Sequence, residues 1–197
     1  MSRFFRALTA LMLSVVAYAQ SPPAHPLPYV PVKTTDAKGI NLHKFLGKEL
    51  IIVVFSTQCE DCITTIGVLS KIQKELGPRG LQVVGIAGNE NAAYTVGPFA
   101  ERYKPGFPLG FLNQDAVIKL TNIKKDDRPF VPIVMFVDSV GVVRVQYFGN
   151  DPVMKQQEKA LRAIADSLLK WQANRAASAK AAAAPKPETP PPAKPEP

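Results

Sequence analysis

The chain has 197 residues, a formal net charge of +8 and two cysteines. That length suits one domain with a single core plus flanking segments. Although basic, the sequence has no run of five or six like charges and no interleaving of aromatic and basic residues, which argues against a nucleic-acid face; the charge bears on solubility and on association with anionic surfaces.

In chain order, Arg3 and Arg6 form a short basic region, Ala7 to Val16 is apolar, and Ala17-Tyr18-Ala19 fits a small-x-small cleavage site. Residues 1–19 therefore read as a signal peptide, and the expected destination is extracytoplasmic, either periplasmic or secreted. The alternative is an uncleaved N-terminal segment that tethers the protein to a membrane. Residues 20–30 are rich in proline and read as an extended linker, with the domain spanning 31–172.

Within the domain, Tyr29 to Thr34 is a candidate edge strand, turned by Asp36-Ala37-Lys38-Gly39. Leu50 to Phe55 is a continuous apolar run, as a strand buried on both faces would be. Ile63, Ile66, Leu69, Ile72 and Leu76 recur at spacings of three and four, which predicts a helix over 60–76 that Gly77-Pro78 ends. Leu81 to Ala87 is the next strand, followed by a weaker helix over 92–103 interrupted at Gly97-Pro98. A short strand at Pro108 to Leu112 and a short helix at Asp115 to Leu120 follow. Ile133 to Val137 and Val142 to Phe148 read as a hairpin about Asp138-Ser139-Val140-Gly141, and residues 152–171 as a closing amphipathic helix. Residues 173–197, rich in Ala, Pro and Lys, are expected to be a disordered tail. The alternation predicts an α/β fold with helices on both faces of a central sheet.

The two cysteines stand together as Cys59-Glu60-Asp61-Cys62, at the junction of the apolar strand and the helix. A thiol at a helix N-terminus meets unpaired N–H groups and the positive end of the dipole, both of which favour a thiolate. The second thiol lies one helical turn on, close enough to resolve a mixed disulfide. The spacing therefore points to thiol–disulfide exchange. Zinc would need more ligands than one C-x-x-C pair, with His25 and His43 both upstream, so no metal is expected. A structural disulfide closing so short a loop would remove little chain entropy. Glu60 and Asp61 add negative charge in the first turn, which helps the helix but opposes ionisation of Cys59, so they are expected to modulate the pair toward a reductant.

The layout and motifs over roughly residues 30–170 resemble the thioredoxin superfamily, most of all its TlpA/ResA-like extracytoplasmic branch, a redoxin domain. Phe55-Ser56-Thr57-Gln58-Cys59-Glu60-Asp61-Cys62 stands where that branch reads W-A-T-W-C-x-P-C, Leu46-Gly47-Lys48 is similar to its lead into the central strand, and Asp138 to Gly141 to its hairpin turn. The resemblance implies a thioredoxin-like fold: a mixed sheet flanked by helices, with an N-terminal β extension. It implies that Cys59 is the exposed nucleophile and Cys62 the buried resolving thiol. Pro132 would be cis and shape the substrate groove, and Val131 would offer backbone hydrogen bonds to an extended substrate. Gln58 replaces the tryptophan common before the first cysteine and would also face substrate. Partners would be protein disulfides, apocytochrome c among the targets common in this family, and a membrane thiol donor. No cofactor is implied, and a monomer is expected. Val53 stands where many relatives place a polar or acidic residue and Thr65 where some place a glutamate, leaving water or Glu90, in the Gly88 to Asn91 loop, as the candidate proton acceptor for Cys62. The alternatives are a thiol peroxidase, whose P-x-x-x-T-x-x-C pattern is at best half present, and a redox-inactive or copper-binding module on the same fold.

Overall fold

A computed structural model describes residues 24–124, 127 and 129–182. The expected signal peptide, and the tail beyond residue 182, lie outside the described residues. Six strands form a mixed sheet in the order β1(His25–Pro26), β8(Val142–Tyr147), β7(Ile133–Val137), β4(Glu49–Phe55), β5(Leu81–Ala87), β6(Leu109–Phe111). β4, β5 and β6 run parallel, whereas β7, β8 and β1 are antiparallel to their neighbours. A separate antiparallel pair, β2(Pro31–Val32) with β3(Ile40–Asn41), forms the rest of the N-terminal extension.

Alternation along β4 divides the core into two layers. Ile51, Val53 and Phe55 point into one cluster with α1(Glu60–Leu76), α2(Ala92–Tyr103) and α4(Gln157–Ala182). Leu50, Ile52 and Val54 point into the other, which α3(Gln114–Thr121) and the N-terminal segment cover. All seven residues of β4 are buried, so the central strand is a continuous apolar run apart from Glu49 at its start.

Four sequence expectations change. The described part of the proline-rich segment is no linker: β1 pairs with β8, the Leu27 N–H donates to Gly141 O at 2.8 Å, and Leu27 and Val30 are buried. Proline is tolerated there because an edge position does not require its missing N–H. The edge strand expected over 29–34 shrinks to Pro31–Val32. α2 runs unbroken through Pro98, since burying Val96 and Phe99 against the sheet outweighs one lost backbone hydrogen bond. α4 continues to Ala182, through residues assigned to the tail, because alanine is the strongest helix former.

Candidate active site

The C-terminal end of β4 delivers the chain into Ser56-Thr57-Gln58, and Cys59 then caps α1. Cys59 has extended backbone angles, and its sulfur accepts the Cys62 N–H at 3.2 Å. This is the N-cap geometry, with sulfur in the place of the usual hydroxyl or carboxylate. The cap arises locally, from an extended residue before a segment with acidic residues in its first turn and apolar spacing after it.

Both cysteines are free thiols, Cys59 half-buried and Cys62 fully buried. The Cys62 thiol is pushed well above its ordinary value, first by burial, then by its hydrogen bond to Cys59; the neighbouring Cys59 and Asp61 charges act in the same direction, and the Ser56 backbone acts against them. Glu60, Asp61 and Gln58 are exposed around the pair.

Facing the thiols is the segment before β7. The Val131-Pro132 peptide bond is cis, Pro132 is buried, and Cys59 Sγ lies 3.9 Å from the Val131 carbonyl oxygen. The fold thus brings together Cys59, Cys62, Val131 and Pro132, which are 72 residues apart in the case of Cys59 and Val131. The loop before Cys59 is tied down from the other side. Thr57 N–H donates to Asn89 Oδ1 at 3.1 Å, and Thr57 Oγ1 donates to Thr95 Oγ1 at 2.9 Å. Glu90, the candidate proton acceptor in that loop, is exposed, and among the described residues it is Asn89 that reaches the thiol loop.

Two further residues were missed. Gly149, after β8, approaches the Val131 backbone so closely that a Cβ there would lie 2.5 Å from Val131 O and 3.2 Å from Pro132 Cδ. Its N–H donates to Phe130 O at 2.8 Å. Thr65, noted only as a departure from the family, is buried, and its hydroxyl lies 2.6 Å from Gln157 Oε1 and 2.9 Å from Asp61 O, linking α1 to the start of α4. A Gly-Asn pair after a strand hints at a turn, but nothing in the local pattern of residues 142–150 announces which backbone the turn touches. Among the described residues, no group of three or more His, Cys, Asp or Glu side chains is placed to hold a metal ion.

A mixed sheet with the dithiol at the end of its central strand, opposite a cis-proline, defines a thioredoxin-like redoxin. Residues 23–146 match the model of the AhpC/TSA family, and the chain belongs to that family. No curated protein matches the chain significantly. Solved structures share the fold. A thiol:disulfide interchange protein of the thioredoxin family from Chlorobium tepidum TLS is 22% identical, with a TM-score of 0.62 over 77% of this chain and 99% of that one. The thioredoxin domain of a thiol-disulfide oxidoreductase from Bacteroides vulgatus is 17% identical, with a TM-score of 0.53 over 68% and 94%. A secreted Mycobacterium tuberculosis disulfide oxidoreductase, described as homologous to E. coli DsbE, is 19% identical, with a TM-score of 0.50 over 68% and 96%.

Proposed function

We propose that this protein is an extracytoplasmic thiol–disulfide oxidoreductase that reduces disulfides in protein substrates. The observation that carries the reading is Cys59 as a sulfur N-cap of α1, half-exposed, with the buried Cys62 thiol directly beneath it. In the proposed cycle the Cys59 thiolate attacks one sulfur of a substrate disulfide. That S–S bond breaks, a mixed disulfide forms, and the other substrate sulfur leaves and takes up a proton. Cys62 then gives its proton to water and attacks Cys59 Sγ, which releases the second substrate thiol and leaves the protein oxidised by two electrons. A membrane thiol donor returns the pair to the dithiol. Val131 supports the reading as a backbone edge for an extended substrate, Pro132 as the wall that shapes the groove, and Gln58 as an exposed neighbour of the reacting sulfur.

The reductant direction rests on charge and burial. Glu60 and Asp61 offset the positive end of α1, and burial keeps Cys62 a neutral thiol, so the reduced pair gains little electrostatic stabilisation. An extracytoplasmic site follows from the expected leader peptide, and the secreted M. tuberculosis structure is consistent with it. Peroxide reduction fits less well, because the position that peroxiredoxins give to proline is Ile52, buried in the centre of β4.

The test is the reduction potential of the Cys59–Cys62 pair, titrated against dithiothreitol and read by thiol alkylation. A value of about −270 mV, as in thioredoxin, is expected; one of about −120 mV would reverse the direction. Absence of any reversible titration would remove the exchange reading altogether.

A further inference from the structure

The surface beside the thiols carries one feature that the exchange chemistry does not use. Phe130 is 64% exposed, and it immediately precedes Val131, whose carbonyl oxygen faces Cys59 Sγ. Exposed large apolar side chains are common singly on protein surfaces and ordinarily need no explanation. Phe130 differs in how its backbone is held. Its carbonyl accepts the Gly149 N–H at 2.8 Å, and Gly149 presses against Val131 with no room for a Cβ. The Val131 carbonyl oxygen lies 3.9 Å from Cys59 Sγ, and the half-buried Val131 side chain packs on both core layers. The Phe130 ring is left facing solvent on a fixed frame.

Building on the exchange reading, we infer that Phe130 is a specificity-determining residue, which contacts the side chain next to the reacting cysteine of an extended polypeptide and favours an apolar one. A substrate segment that binds along Val131 with its cysteine at Cys59 brings the residue next to that cysteine within reach of the exposed Phe130 ring, the chain neighbour of Val131. The occupant is thus an extended strand with an apolar residue beside its cysteine. Such residues are buried in a folded protein, so the preferred substrate is an unfolded or incompletely folded chain.

The test uses the reduced full-length protein and two disulfide-linked peptide dimers that differ only in carrying Leu or Ser on both sides of the cysteine. The wild type is expected to reduce the Leu dimer about tenfold faster, the size of one modest apolar contact. Phe130→Ser should bring that ratio close to one, and Phe130→Trp should keep it, because an aromatic surface is restored. The ratio is the readout, so a uniform loss from altered folding does not imitate the effect. A wild-type ratio near one, or a ratio that survives in Phe130→Ser, overturns the inference while leaving exchange intact. Failure of both dimers and of 2-hydroxyethyl disulfide as well would instead defeat the exchange reading on which it rests.

Discussion

Two cysteines three residues apart have unequal roles because the helix gives them unequal surroundings. Cys59 precedes the first turn, where its sulfur stays accessible and accepts the Cys62 amide; Cys62 is inside that turn and packs among Phe55, Ile66 and the rest of the core. Since burial raises the Cys62 thiol, only a small fraction is thiolate at neutral pH, and that fraction grows as the pH climbs toward the raised value. Iodoacetamide at pH 8 should therefore modify Cys59 at least about tenfold faster than Cys62 in the folded protein. Mass spectrometry of tryptic peptides after timed quenching measures both rates, and equal rates would show that Cys62 is not shielded. Cys62→Ser should accumulate a mixed disulfide with a peptide substrate, and Cys59→Ser should form none; capture by Cys59→Ser would exchange the proposed roles.

At the level of elements, the site is the meeting of three pieces: the N-terminus of α1, the segment entering β7 and the turn leaving β8. Gly149 is the tightest joint between the last two. Gly149→Ala would place a Cβ 2.5 Å from a backbone oxygen, which cannot swing aside as a side chain can. The substitution should cost about 1–3 kcal/mol of stability, as overpacking does, and should slow substrate exchange beyond what the lost stability explains. Urea denaturation gives the first quantity and exchange kinetics under folded conditions the second; wild-type values for both would mean that the turn is free to shift. The sequence displayed much of this architecture. β5 and β7 have the bounds that their apolar runs predict, and α1 follows from its spacing of three and four, because full burial writes a continuous pattern into local composition. The dithiol was legible for the same reason, as a motif at a strand–helix junction. What was not legible depends on distant partners. Pro26 and Pro28 read as linker residues until β8 supplies an edge, and the Ala-rich end of α4 reads as tail until a long preceding helix extends into it. Phe130 and Gly149 become meaningful only when the chain folds back to set Val131 against Cys59, 72 positions away, and Asn89 only when it meets Thr57, 32 positions away.

The whole molecule has two chemical poles, one at each end of β4. The thiols follow Phe55, and Glu49 opens the strand about 20 Å away, at roughly 3.3 Å per residue. Glu49 is fully buried; the Ser139 N–H donates to its Oε1 at 3.3 Å, and Asp138, itself buried and paired with Arg144, lies close by. Burial raises the Glu49 carboxyl from its ordinary 4.5 to about 7, with Asp138 adding to the effect and the Ser139 N–H and Arg175 opposing it. Between those two values the folded protein keeps a proton that the unfolded chain has released. Stability therefore falls as pH rises through the window from 4.5 to about 7, and levels off above it. Glu49→Gln keeps an oxygen for the Ser139 N–H but has no charge to bury, so it should flatten that slope and be more stable than the wild type at pH 8, by an amount on the order of 1–3 kcal/mol. Urea unfolding of both proteins at steps between pH 5 and pH 8 gives the two curves. Convergence at pH 5 with separation at pH 8 assigns the slope to Glu49, whereas parallel curves would assign it elsewhere. Because the thiols occupy the opposite pole, exchange rates in folded Glu49→Gln should follow the wild-type pH profile, so that the acid sets how firmly the sheet holds while the dithiol's chemistry is set at the other end of the same strand.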